Sequence, residues 1–136
     1  MTVIFTTSAI TKGGRNGRSS LDNGGLALAM ALPKEMGGSG DGMNPEQMFA
    51  LGYSACFGQA VLAMGKKHGE DTSEAHITAA VTIIKDETSF ALSVELKVRM
   101  AGIDPQKARQ ILEDAHFICP YSRATRGNVP VVLTLI

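Results

Sequence analysis

Between Asn44 and His68 the chain reads NPEQMFALGYSACFGQAVLAMGKKH, and this stretch limits the possible folds more than any other. It predicts one long helix. Asn44 is a good N-cap, because its side-chain oxygen can accept an orphan N–H of the first turn. Pro45 suits the first helical position, where its missing N–H costs nothing. Glu46 sets an acid at the positive end of the helix dipole, and Gln47 an amide at the capping-box position. From Phe49 onward the residues are apolar or small nearly all round, through Tyr53, Ala55, Phe57, Ala60, Val61, Leu62, Ala63 and Met64. That pattern predicts a helix buried on several faces. Gly52, Gly58 and Gly65 each weaken it by roughly 1 kcal/mol relative to alanine, and mark points where another backbone is expected to come close. Cys56 stands in the middle of this apolar helix.

A helix of this kind must be covered by other elements, and the rest of the chain supplies them. Residues 2–10 (TVIFTTSAI) are rich in β-branched types and predict a strand. KGGRNGRSS is a glycine-rich basic turn or loop carrying Arg15 and Arg18. Asn23-Gly24 marks a tight hairpin, followed by Leu26, Leu28, Met30 and Leu32 at alternate positions, a strand that Pro33 ends. HITAAVTIIK is a further strand. In SFALSVELKVRM, apolar Phe90, Leu92, Val94, Leu96, Val98 and Met100 alternate with Ser93, Glu95, Lys97 and Arg99, as in a half-buried antiparallel strand. Asp104-Pro105 opens a second helix with the stripe Ala108, Ile111, Leu112, Ala115, Ile118 and Cys119, stopped by Pro120. YSRATRGN is read as a loop and VPVVLTLI as the last strand, with Pro130 at an edge or strand start. The order is α+β, a mostly antiparallel sheet with two main helices, in one domain spanning residues 1–136.

Thirteen basic residues balance thirteen acidic ones, so no whole-molecule field points to nucleic acid or an anionic membrane surface. No uninterrupted apolar run approaches the roughly 18 residues of a membrane span, and MTVIFTTSAITKGG lacks the plan of a signal peptide. A cytoplasmic protein is expected, where thiols stay reduced. Its two cysteines are then free thiols, metal ligands or a redox pair.

Cys56 can be a small hydrophobe in a packed helix or a reactive thiol, which needs a cation to lower its pKa. The nearest basic residues on its own helix, Lys66 and Lys67, lie about 15 Å along the axis, so activation must come from elsewhere. Cys119 ends the stripe of the second helix and can likewise be core. His116 and Cys119, at i and i+3, could share a face toward zinc. Only His68 and His76 remain to complete such a site, and no second close-spaced pair exists. GGRNGRSS lacks the Gly-Lys-Ser/Thr of a phosphate loop. Glu46 can serve only the helix dipole, and Arg123 and Arg126 a solvated loop.

Taken together, GGRNG, NPEQMFALGYSACF and CPYSRATRGN, in this order and spacing, closely resemble the organic hydroperoxide resistance (Ohr) proteins of the OsmC/Ohr superfamily. The resemblance covers essentially the whole chain and implies the OsmC-like fold. It implies that Cys56 is a peroxidatic cysteine, Cys119 its resolving partner, Arg15 the essential arginine and Glu46 the glutamate that holds it. Arg18 is the alternative if the loop register differs. It implies reduction of organic hydroperoxides, alkyl and fatty-acid, through a Cys56–Cys119 disulfide, recycled by a dithiol reductant, a lipoyl-type protein or dihydrolipoamide. From the residues themselves no cofactor and no metal are expected. Phe49, Leu51, Phe57, Val61 and Met64 can either line a pocket for the organic tail or fill the core. Arg123 stands where asparagine is common in the motif, and Met48 where leucine is usual. Glu46 and Cys56 lie ten residues apart, about 15 Å along an unbroken helix. A Glu46 acting through Arg15 therefore reaches the cysteine of a second subunit more easily, and an intertwined homodimer is expected. The competing readings are an OsmC-type peroxidase of other preference, a non-catalytic α+β binding protein, and a metal-binding or redox-sensing module without turnover.

Overall fold

The computed structural model describes residues 1–136 and is mixed α+β, with two three-stranded sheets and three α-helices. Two compact units divide the chain, Met1–Met48 and Phe49–Ile136.

In the first unit, strands β1 (Ala9–Lys12), β2 (Arg18–Leu21) and β3 (Ala27–Ala29) form an antiparallel sheet in that order. The predicted hairpin joins β2 to β3. Asn23 Oδ1 accepts the Gly25 N–H at 2.8 Å, and the Leu21 N–H donates to the Leu26 carbonyl at 2.8 Å. The strand expected over residues 2–10 is shorter than predicted. Pairing starts only at Ala9, opposite Leu21, and residues 2–8 have no partner strand. β-branched composition favours extended backbone, but a strand exists only where another runs beside it. Val3, Ile4 and Phe5 are left exposed. The next predicted strand is also short. It stops at Ala29, and Met30 then makes a single bridge to Met43.

Helix α1 is continuous over Pro45–Lys67. Its cap is a reciprocal box: the Gln47 N–H donates to Asn44 Oδ1 at 2.8 Å, and the Asn44 N–H donates to Gln47 Oε1 at 3.0 Å. By length and composition α1 could cross a bilayer, but its buried stripe is packed into a protein core. That stripe is narrower than predicted. Tyr53, Phe57, Ala60, Val61 and Gly65 are buried, at the i, i+4, i+7, i+8, i+12 spacing of one face, while Leu51, Ala55, Leu62 and Ala63 are exposed.

The second unit packs that stripe against β4 (His76–Lys85), β5 (Phe90–Arg99) and β6 (Val131–Leu135), together with helices α2 (Pro105–Ile118) and α3 (Pro120–Thr125). β4 and β5 pair antiparallel over ten residues, from His76 opposite Arg99 to Lys85 opposite Phe90. β5 lies in the middle, which is why Val94, Leu96 and Val98 are its most buried residues. β6 runs parallel to β5, Val94 opposite Val131 through Val98 opposite Leu135. The α2–α3 crossover makes this possible, since a parallel pair cannot be joined by a tight hairpin. Asp104 caps α2 through the Lys107 N–H, and Ala108, Ile111, Leu112 and Ala115 are buried as predicted. Ile118 turns outward. The expected loop after Pro120 is instead α3, for which Pro120 is the first residue.

Candidate functional site

The two cysteines meet. The sulfurs of Cys119 and Cys56 lie 3.4 Å apart, within reach of a thiol hydrogen bond. Cys56 is half-buried in the middle of α1, three residues after Tyr53 and one before Phe57. Cys119 is fully buried and lies in the junction between two helices. Its backbone (φ −62°, ψ 124°) has left the α2 spiral, and its N–H still donates to the Ala115 carbonyl at 2.9 Å. Its own carbonyl accepts the Arg123 N–H at 2.9 Å and so starts α3. Cys119 thus closes the buried stripe of α2, as predicted, and caps both α2 and α3.

Burial pushes the Cys56 thiol above the ordinary thiol range, and the neighbouring Cys119 sulfur adds to the rise. The Tyr121 backbone N–H, near the start of α3, pulls the other way. None of these three influences is a cation. Two thiols at this distance also compete for a single negative charge. Once one ionises, the other is held protonated and can donate to it. Tyr121 is held in turn by its ring, which packs on Phe49 and Tyr53 at centroid distances of 6.0 and 5.7 Å. Gly52 makes room for it, since a Cβ there would come within 2.8 Å of Tyr121 Oη. The close neighbours of Gly52 and Gly65 are therefore side chains, Tyr121 and Thr72, not another backbone. Phe57 and Val61 are fully buried core, Phe49 and Met64 partly buried against it, and Leu51 is exposed.

Arg15 and Glu46 form the second pairing. Arg15 Nη1 donates to Glu46 Oε2 and Nη2 to Oε1, both at 2.8 Å. This two-pronged geometry is the strong form of a guanidinium–carboxylate contact. The GGRNG loop makes it possible. Gly13 and Gly14 adopt positive φ at +83° and +58°, and a Cβ on Gly17 would overlap the Lys12 carbonyl. Asn16 Oδ1 accepts the Leu32 N–H at 3.0 Å and ties the loop down. The hydrogen bonds from Arg15 hold the Glu46 carboxyl below the usual carboxylate range, against the opposing effect of burial. The same contact raises Arg15. Arg18, the alternative register, opens β2 exposed and makes no ion pair.

Residues 38–134 match the family described as OsmC-like protein. The chain belongs to that OsmC/Ohr family. It is similar to the organic hydroperoxide resistance protein of Xanthomonas axonopodis pv. citri, at 40% identity over 98% of this chain and 95% of that protein. It is also similar to the crystal structure of the organic hydroperoxide resistance protein OhrB of Bacillus subtilis, at 39% identity, 97% and 98% coverage and a TM-score of 0.88. A Vibrio cholerae crystal structure, described as a putative organic hydroperoxide resistance protein with captopril bound in one of its active sites, matches with a TM-score of 0.94. It shares 44% identity and covers 99% of this chain and 94% of that one.

Other features of this OsmC-like protein lie outside the two pairs. His116 bonds Ser122 through Nδ1, and no three metal-ligating side chains cluster anywhere. A surface hollow of about 470 Å³ at the end of α1, lined by Leu62, Lys66 and residues 69–73, contains neither cysteine. Arg126, expected on a solvated loop, donates to the His116 carbonyl at 2.7 Å and lies over the Phe117 ring. Sequence reading missed Asn16 and Ser122. Asn16, a small polar residue beside Gly17, carried the usual signal of a side-chain bond to loop backbone; Ser122 carried none, because its partners Tyr53 and His116 lie on other helices.

Proposed function

We propose that this protein reduces organic hydroperoxides to alcohols by thiol chemistry. The observation that carries the reading is the 3.4 Å approach of two cysteines from distant segments inside an apolar core. The Cys56 thiolate attacks one peroxide oxygen, the O–O bond breaks, and the alkoxide leaves as the alcohol after taking a proton; Cys56 becomes a sulfenic acid. Cys119 attacks that sulfur, releasing water and forming the disulfide. A dithiol then reopens it by exchange, leaving as its own disulfide. A lipoyl-type protein or dihydrolipoamide is the expected dithiol, and a cytoplasmic setting suits a cycle that ends in reduced thiols.

Burial alone disfavours the Cys56 thiolate, so the cycle needs a cation. Arg15, aligned and kept charged by Glu46, supplies it and stabilises the departing oxygen. Glu46 and Cys56 lie ten residues apart on one unbroken helix, about 15 Å by helical rise. We therefore assign the Arg15–Glu46 pair facing each Cys56 to a second copy of the chain. The exposed apolar side of α1 (Leu51, Leu62) and the unpaired Val3, Ile4 and Phe5 support such an intertwined homodimer. Each buried methylene of an organic substrate adds about 0.8 kcal/mol, which favours alkyl and fatty-acid hydroperoxides over hydrogen peroxide.

The test is consumption of an alkyl hydroperoxide with dihydrolipoamide, comparing wild type with Cys56→Ser. Wild type should turn over and Cys56→Ser should be inactive. Equal rates would overturn the proposal in favour of a non-catalytic protein, and faster reduction of hydrogen peroxide would favour an OsmC-type preference. Ultracentrifugation showing an active monomer would remove the dimer.

A further inference from the structure

A chain of buried hydroxyls joins the segments on either side of both cysteines. Tyr53 Oη lies 2.8 Å from Ser122 Oγ and 3.2 Å from Thr125 Oγ1. Ser122 Oγ lies 2.8 Å from His116 Nδ1, and Thr125 Oγ1 donates to the Ser122 carbonyl at 3.0 Å. Tyr53, Ser122 and Thr125 are all buried. Tyr53 precedes Cys56 by three residues on α1. His116 precedes Cys119 by three on α2, and Ser122 follows it by three on α3. No step of the peroxide chemistry uses any of them.

Hydrogen-bond direction can be assigned. A neutral imidazole accepts the Ser122 hydroxyl proton at Nδ1, and Ser122 Oγ then accepts from the Tyr53 O–H. Burial, and then the charge of Arg126, hold His116 below the ordinary imidazole value, which suits the accepting form. Phe57, at a centroid distance of 6.4 Å, packs near the ring from α1. No buried side-chain polar atom is left without a partner. A fully satisfied network of this kind rigidifies what it joins.

Resolution needs that rigidity. The sulfurs stand 3.4 Å apart, and a disulfide needs about 2.05 Å. Side-chain rotation closes such a gap only if the backbone stays put, and Cys119 sits at a non-helical junction held by one backbone bond on each side, to the Ala115 carbonyl and from the Arg123 N–H. We propose that Tyr53, Ser122 and His116 are positioning residues that brace this junction, keeping the resolving thiol in reach of Cys56 as its sulfur changes oxidation state. The inference rests on the thiol-peroxidase reading above. In the step concerned, the S–S bond forms and the S–O bond of the sulfenic acid breaks. The hydroxyl leaves as water with the Cys119 proton, while Cys119 is oxidised and Cys56 reduced. A second peroxide competes by oxidising the sulfenic acid to a sulfinic acid.

The experiment compares full-length Ser122→Ala, Tyr53→Phe, His116→Leu and His116→Asn with wild type. With one equivalent of alkyl hydroperoxide, peroxide loss reads attack, and loss of the second thiol, Cys119, with formation of the disulfide reads resolution. Misplacement should slow resolution about tenfold more than attack in the first three variants, with Cys56 sulfinic acid accumulating under excess peroxide by mass spectrometry. His116→Asn keeps an acceptor for Ser122 and should resolve like wild type. Equal slowing of both steps, or wild-type resolution in Ser122→Ala and His116→Leu, would overturn the proposal. If Ser122→Ala fails to fold, the Leu and Asn variants at the half-exposed His116 decide alone. Oxidation of the thiol pair by diamide supplies a peroxide-free arm. Wild type should close the disulfide about tenfold faster than His116→Leu there, and equal rates would count against the brace. A wild type inert to hydroperoxide would refute the functional reading while this arm still judged the network.

Discussion

Arg15 with Glu46, and Cys56 with Cys119, are both contacts between side chains far apart in sequence, yet opposite physics builds them. The arginine pair lies in a unit of short strands and glycine turns. Its geometry comes from directional bonds: two from the guanidinium, one from Asn16 and two in the cap that opens α1. It is partly open to solvent and holds its carboxylate charged. The cysteine pair lies in a unit whose core is Tyr53, Phe57, Leu96, Ile111 and Leu112, and packing places it. Burial there works against charge. One region keeps charge at little cost, the other excludes water and penalises it. A peroxidatic cycle needs both properties at one sulfur, and that is the physical case for bringing a charged pair to a buried thiol.

Removing the second sulfur breaks the comparison most completely. Cys119→Ser keeps the buried Cys56 and leaves the charged pair intact, but has nothing to form a disulfide with. It should consume about one equivalent of hydroperoxide per subunit and then stop, with Cys56 sulfenic or sulfinic acid visible by mass spectrometry. Sustained turnover with dihydrolipoamide would mean that the 3.4 Å contact is only packing. Next comes the cation. Arg15→Ala should lower kcat/KM by about 10²–10³, the usual loss when one preorganised donor is removed from a developing oxyanion. Arg15→Lys should recover little, because a point charge cannot reproduce the two-pronged hold on Glu46. Undiminished activity in Arg15→Ala would place the source of activation in the Tyr121 amide alone.

A smaller effect separates how the two regions are held. Asn44→Ala removes the side-chain oxygen that accepts the Gln47 N–H and leaves the reciprocal bond, from the backbone N–H at position 44 to Gln47 Oε1, in place. It should cost about 0.5–2 kcal/mol by thermal unfolding. Because Glu46 lies in the same first turn, it should also lower activity. Thiol reactivity of Cys56 toward diamide should fall in step with activity, because the same cation favours the thiolate. Lost activity with unchanged diamide reactivity would mean that the charged pair acts on the departing oxygen alone.

What could be read from sequence follows the range of the forces involved. The α1 cap was legible because Asn44, Pro45 and Gln47 act within four residues. β4 and β5 were legible because alternation over ten residues has one physical meaning. The pairing of Arg15 with Glu46 came from resemblance. Its local reason, two glycines at positive φ and a third with no room for a Cβ, appears only with the backbone. The parallel direction of β6 depends on the crossover, which no single strand encodes. Helix α3 was missed because PYSRAT carries almost no apolar period. It is held by Ser122 and Thr125 bonding Tyr53, a partner some 70 residues away. Residues 2–8 were over-read for the converse reason, since a strand-like composition cannot supply its own partner.

Acid gives the smallest and most selective test. Glu46 has its folded-state pKa depressed, chiefly by the Arg15 hydrogen bonds. The unfolded chain therefore takes up a proton first as pH falls. The stability from this pair is fully present above the unfolded carboxylate value of about 4.3, and is lost as pH falls through the lower folded value. Arg15 is about a third exposed (35%), so solvent screening holds the contribution to about 1 kcal/mol or less. Glu46→Gln should then show a melting temperature slightly below wild type at pH 6–7, converging with it toward pH 3. High salt should shrink the gap at neutral pH, because the pair is open to ions. His116 titrates in a different window. Its folded pKa is lowered, so the stability it contributes is present above its unfolded value of about 6.5 and falls as pH drops below that. His116→Asn should flatten the stability profile between about pH 5 and 7 and leave the lower limb to Glu46. Two separable limbs would show that the charged pair and the buried network are independent devices, and one merged limb would tie them together.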